Sequence, residues 1–445
     1  MFDFLLLEIG LKTLAESHRD VFFIIVLRMI RLVAFGATAL IFAIYLKTIG
    51  IDERYIGLFM TLTFVGDLIL SFYLALIADK VGRRMVILLS SLLVIATGLA
   101  FAWTENIYIL AAVAFFGVLT PSGGEVGAFR SIEQSAIALL SPPEHRSDLY
   151  AWYNFSGAFC QAFGAQLSGW VVDWFQDKYD FTLVESYKSV WVGYAIVGAL
   201  MAVLSFSMSS QVESEASRQV TPDPAANEQT PLVAPVAEEP NRSRNNSLWR
   251  KFLPELHHEV LGIVVKLLLL FGLDAFASSL VPLLWQSYFI KHKFGIPTSY
   301  LGLVFFVTGV VAAFTSLLST SFTKRFGPVL TMVGTHLPSS ILLGVIPFPA
   351  SFKITLTILI LRALTQLMDV APKHVFLAAI VPDSDRTAVF AFTNVVKTLA
   401  QIPGPMVVGF LTKSGAQWIT FCVASVLKVT YDLGIMATFI GVDSN

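Results

Sequence analysis

The chain has 445 residues, 56% of them hydrophobic and only 14% charged, with a mean hydropathy of +0.72. Water-soluble proteins have about 25% charged residues, so a soluble globular core is excluded and a polytopic membrane protein is expected. The net charge of −1 leaves no electrostatic footprint for nucleic acid. Cys160 and Cys422 both lie inside apolar runs, without a disulfide framework or metal-ligand spacing.

Met1 to Asp20 mixes charges with short apolar pieces and has no cleavable-signal layout, so an interfacial amphipathic helix is expected there. Twelve runs then meet the length of about 20 apolar residues that a bilayer requires. Their limits are 22–47, 55–77, 85–104, 107–139, 148–171, 187–208, 259–289, 299–322, 328–347, 354–380, 388–411 and 415–440. Between the sixth and seventh runs the composition turns to Pro, Ala, Glu, Asn and Ser. Such a segment cannot bury enough surface to fold. The expected domains are therefore a six-helix bundle over 1–208, a disordered cytoplasmic linker over 209–257 and a second bundle over 258–445.

Ala78-Asp79-Lys80-Val81-Gly82-Arg83-Arg84 places four charges in seven residues between two apolar runs, so it must lie at a membrane surface. Short basic loops are retained on the cytoplasmic side. Twelve spans then put both termini in the cytoplasm, in a plasma or vacuolar membrane. His145 and Arg146, Lys324 and Arg325, and Arg386 agree with this orientation, whereas Lys291 and Lys293 oppose it.

The sequence also repeats itself. Tyr55-Ile56-Gly57-Leu58 and Gly82 recur as Tyr300-Leu301-Gly302-Leu303 and Gly327, displaced by 300 − 55 = 245 positions. Pro142, Arg146, Asn154, Gln161, Gly164 and Gly169 recur as Pro382, Arg386, Asn394, Gln401, Gly404 and Gly409, displaced by 386 − 146 = 240. Two parallel six-helix halves are implied.

The basic loop resembles the signature G-x-L-A-D-x-x-G-R-R/K between helices two and three of the major facilitator superfamily, with Ala75 in place of the first glycine. The resemblance implies an all-α membrane protein of twelve transmembrane helices in two pseudo-symmetric bundles. Asp79, Gly82, Arg83 and Arg84 would act as a conformational lock. The first and fourth helix of each half would line a central cavity, and the second and fifth would form the interface between halves.

Ionisable residues inside spans are costly and therefore mark sites. In span ten, Arg362, Gln366, Asp369 and Lys373 fall at i, i+4, i+7 and i+11, one helical stripe. Span four contains Glu125, Arg130 and Glu133 after Pro121-Ser122-Gly123-Gly124; Arg130 and Glu133 are one turn apart and can pair internally or meet substrate. Asp274 in span seven has no local partner, and Arg28 and Arg31 of span one are candidates to reach it, or to snorkel to the surface. Asp67 shares a face with Thr63 and Ser71. Asn154 with Gln161, and Asn394 with Gln401, form polar pairs on spans five and eleven, suited to helix packing. The small residues from Gly164 to Gly169 and from Gly404 to Gly409 suit close packing that seals a cavity. The first stretch also loosely resembles the span-five motif of proton-driven antiporters.

The expected function is secondary transport by rocking of two bundles, as proton-coupled export of a small organic molecule with Asp369 or Glu125 as the proton carrier. A facilitative carrier or symporter for a sugar or organic anion, with Arg362 and Arg130 as ligands, is the alternative; a transporter-shaped receptor or scaffold is a third reading. Substrate, protons and the lipid bilayer are the expected partners of a monomer. No cofactor or metal is called for, and no Walker loop or nucleophile arrangement suggests an enzyme.

Overall fold

The computed structural model describes residues 11–120, 127–142, 145–209, 212–213, 258–380 and 383–439. Glu125 and most of the segment 209–257 lie outside these residues, as do the side chains of Asp79 and His374.

Among the described residues the protein is helical throughout. A short helix, Leu11–Ala15, precedes the first span, Arg19–Thr48, which starts earlier than its apolar run because Asp20 is buried and accepts hydrogen bonds from Ser209. Spans two and three are Glu53–Val81 and Arg83–Trp103, and span four is divided into Ile107–Phe116 and Gly127–Leu140. Arg146–Tyr179 and Leu183–Ser207 complete the first half. The second half begins with His258–Leu280 and Leu283–Phe294, one span broken before Pro282, followed by Thr298–Phe326 and Pro328–Val345. Span ten is also broken, into Phe352–Ala363 and Val370–Ile380. Span eleven is Asp383–Gln401 with Gly404–Lys413, and span twelve is Trp418–Phe439.

Nine helices among the described residues are long and apolar enough to cross a bilayer. Span five is not one of them, although it has 34 residues, because Gly, Ser and Gln dilute its apolar content. That composition reflects packing on protein: span five lies against span one within its half and against span eight of the other. The second half mirrors this, with span eleven on span seven and on span two. Spans three and six pair as spans nine and twelve do.

Gly82 and Gly327 begin the third and ninth spans at φ values of 98° and 79°, a region open to glycine and strained for other residues. At Gly82 the helix start has no cap from its own residue. The carboxylate of Glu213 instead accepts from the Arg83 and Arg84 backbone N–H groups at 2.6 and 3.3 Å. It satisfies donors that every helix N-terminus leaves open. The Arg83 and Arg84 guanidinium groups donate to the carbonyls of Val212 and Phe206. The hinge is thus tied to the residues that follow span six.

Lys291 and Lys293, which oppose the charge rule, have local reasons to be where they are. Lys291 donates to Thr298 Oγ1 at 2.8 Å, and Lys293 to the carbonyls of Pro347 and Pro349 at 2.6 and 2.7 Å.

Candidate functional site

Described contacts between the halves cluster at the end away from Gly82 and Gly327. Gly57 of span two faces Pro405 and Gly409 of span eleven, and Gly302 of span eight faces Ala165 of span five, near Gly169 on Thr298. The two repeated glycine pairs therefore meet crosswise. Polar contacts frame them: Lys413 with Asp52 at 2.6 Å, Ser299 N–H with Asp173 at 3.0 Å, Tyr288 with Glu53 at 3.0 Å, and Ser287 with the Leu40 carbonyl at 2.8 Å. The bonded Lys413 ammonium holds the half-buried Asp52 carboxyl below its usual range.

Below this closure lies a cavity of about 320 Å³. Span five supplies Gln161 and Ala162, span seven Ser278 and Gln286, and span eight Phe305 and Thr308. Spans nine, ten and twelve supply His336 and Ser339, Arg362 and Gln366, and Lys428. The wall is thus mostly from the second half. No described residue of spans one or four, expected to line it, is on this wall. Their charges close on one another: Arg31 donates to both Glu133 oxygens at 2.6 and 2.9 Å, fully buried, and the Tyr153 hydroxyl donates to the same carboxylate at 2.8 Å. Arg28 donates to the Tyr153 carbonyl and lies over its ring.

Two expected pairings are corrected by this. Glu133 pairs with Arg31 rather than with Arg130 on its own helix, because a bidentate fork reaches both oxygens. Asp274 is not met by Arg28 or Arg31. It binds Lys428 at 2.7 Å and Lys373 at 3.3 Å, with His336 Nε2 at 3.9 Å. Asp369 also holds Lys373, at 3.0 Å, and His336 Nδ1 lies 2.8 Å from Asp432, which accepts from Ser340 as well. Lys428 donates in addition to Ser278 at 2.8 Å. Three carboxylates, two lysines and a histidine thus form one buried cluster that reaches the cavity through His336 and Lys428. An isolated charge here would cost several kcal/mol, so the groups are found together.

The stripe on span ten does not run on one helix. The break over residues 364–369 leaves Arg362 and Gln366 on the cavity wall and turns Asp369 and Lys373 into the cluster. Arg130 is outside the cavity lining. Asp67 accepts from Ser71 at 2.9 Å, whereas Thr63 bonds back to the Met60 carbonyl. Asn154 and Asn394 are exposed and Gln401 is half-buried, so of these four polar residues only Gln161 lines the cavity. The sequence reading missed His336, Lys428 and Asp432. Lys428 and Asp432, at i and i+4 inside the last apolar run, were the available signal.

Two helical bundles enclosing a polar cavity at their junction define an integral, multi-pass membrane protein of the transporter class. The chain belongs to the Major Facilitator Superfamily, whose profile matches residues 24–283 and 267–443. It is 31% identical over 437 residues to the "Uncharacterized membrane protein YJR124C" of Saccharomyces cerevisiae (strain ATCC 204508 / S288c), covering 96% of each chain. Among solved structures it resembles the nucleoside transporter NupG, with a TM-score of 0.67 at 12% identity over 95% of this chain and 99% of that one. A D-xylose-proton symporter gives a TM-score of 0.66 at 15% identity over 93% and 97%. At those identities the likeness is one of fold.

Proposed function

We propose that the protein is a secondary transporter that carries a small organic molecule through the central cavity by rocking of its two halves, coupled to protons. The observation that carries this reading is the cavity at the junction of the halves, in direct contact with the buried cluster around Asp274. On the positive-inside orientation, the hinges lie in the cytoplasm and residues 209–257 tether the halves there. The crosswise closure then belongs to a state sealed at the outer face.

Asp274 is better placed than Asp369 to link proton and substrate. It holds Lys428, a cavity residue, and also Lys373, whereas Asp369 holds Lys373 alone. Protonating Asp274 frees Lys428 to face the cavity, so a proton changes what the substrate meets. The test is flux of a compound library into proteoliposomes, with and without an imposed pH gradient. Asp274→Asn is expected to remove the stimulation by the gradient, a loss of about tenfold or more, equivalent to ~1.4 kcal/mol. Asp369→Asn is expected to have the smaller effect. Gradient-stimulated flux in Asp274→Asn equal to the unmodified protein would end the proton assignment. Absence of flux for every compound would end the transporter reading itself.

A further inference from the structure

We propose that the cavity binds a small hydroxylated organic anion, with the anionic group seated on Arg362. This rests on the transporter reading and names its substrate class. Arg362 lines the cavity, and its Nε is buried with no hydrogen-bond partner among the described residues. None of those residues forms an ion pair with it, and none of the described residues lining the wall is a carboxylate. The acids of the described cluster are committed elsewhere: Asp274 to Lys428 and Lys373, Asp369 to Lys373, and Asp432 to His336 and Ser340.

Elsewhere in the chain a buried arginine has a carboxylate of the protein's own. Arg31 is matched by both oxygens of Glu133. A guanidinium withdrawn from bulk water without such a match costs several kcal/mol, and its planar fork is the geometric complement of a carboxylate or phosphate. At Arg362 the complement is therefore supplied by the solute.

The remaining wall sets the body of that solute. Gln366 and Ser339 offer an amide and a hydroxyl that can donate and accept, and Gln286 and Thr308, which donate to backbone carbonyls, still offer oxygen acceptors, so the wall suits hydroxyl groups. A cavity of about 320 Å³ is at the small end of ligand pockets, which span ~300–1,000 Å³. A cation would face Arg362 and Lys428 together and is disfavoured.

The groups that face Asp274 give the expected pH dependence. They are Lys428, Tyr431 and Asp432 of span twelve, Asp369 and Lys373 of span ten, His336 of span nine and Lys397 of span eleven. A proton on Asp274 removes the counter-ion of Lys428, whose charge then adds to that of Arg362 on the same cavity wall. Anion binding is thereby favoured as pH falls.

The test uses the full-length purified protein and thermal unfolding with glycerate, threonate and gluconate, each beside its neutral polyol, glycerol, threitol or sorbitol, and with glucosamine as the cation. At least one acid should raise the unfolding midpoint saturably, more so at lower pH, while its polyol and glucosamine do not. Arg362→Gln should lose that shift, and Arg362→Lys should retain part of it. The acid–polyol comparison in the unmodified protein needs no variant and holds if Arg362→Gln fails to fold. Equal shifts from polyol and acid, a larger shift from glucosamine, or no shift from any acid would overturn the substrate class. An acid that stabilises folded Arg362→Gln as well as the unmodified protein would overturn the role of Arg362. Library flux is scored separately, so transport of neutral solutes alone would refute this inference and leave the transporter reading standing.

Discussion

Replacing Glu133 by alanine is expected to destabilise the protein by about 3–5 kcal/mol, because it removes the carboxylate that accepts two hydrogen bonds from a fully buried arginine. Arg31 and Glu133 are both 0% exposed, and the fork between them is bidentate. The Tyr153 hydroxyl would lose its acceptor at the same time. Glu133→Gln keeps one oxygen acceptor and loses the charge and the second acceptor, so its cost should be smaller than that of alanine. The double substitution Arg31→Met with Glu133→Leu removes both charges and should recover much of the loss, since well-packed apolar residues can replace a buried ion pair. Detergent-solubilised protein compared by thermal and denaturant unfolding gives the ranking. A Glu133→Ala protein within ~0.5 kcal/mol of the parent, the range of an ordinary surface change, would show that Arg31 finds another partner.

The pair also shows why the fold was readable where the site was not. Helix-forming apolar runs, the 245-residue offset and the glycines at the hinges are local properties of the chain. Gly82 and Gly327 had to be glycine for their backbone angles, so the sequence records the turn directly. Which carboxylate meets which arginine is a property of packing. Arg130 and Glu133 have suitable helical spacing, yet Arg31, 102 positions from Glu133, occupies the carboxylate.

Span ten makes the same point differently. Its polar residues do face inward, but spacing along a helix assumes that the helix continues. The break at 364–369 separates Arg362 from Asp369 and gives them different surroundings. Span twelve does carry a signal in the sequence, because Lys428 and Asp432 interrupt its apolar run one turn apart. His336 is the one ionisable residue in its apolar run, among Thr331, Thr335, Ser339 and Ser340, and is indistinguishable by sequence from a core histidine. Its value comes from two carboxylates on other helices.

Gly409→Leu is expected to impair transport without a matching loss of folding stability. A Cβ on Gly409 would lie 2.5 Å from the Glu53 carbonyl oxygen and 3.0 Å from Gly57 Cα, both backbone atoms of the opposite half. Non-bonded carbon atoms rest ~3.5–4.0 Å apart, so spans two and eleven must separate by the better part of an ångström for the Cβ alone, and further for leucine. On the proposed rocking mechanism this raises the free energy of the state sealed at this end and leaves each bundle's interior intact. Gly169→Leu, against Thr298 at 2.6 Å, should act in the same way on the symmetry-related contact. Gly36→Ala is the contrasting control, since its Cβ would strike the Gln161 backbone carbonyl inside the first half and should lower folding stability instead. A shift of ~1.4 kcal/mol against closure is tenfold in the ratio of open to sealed protein. It can be read with Ser287→Cys at the closure, in a protein lacking Cys160 and Cys422, as faster labelling by a membrane-impermeant thiol reagent. Flux should fall together with the rise in labelling. Unchanged labelling with normal flux would mean that these glycines are spectators of packing rather than the seal.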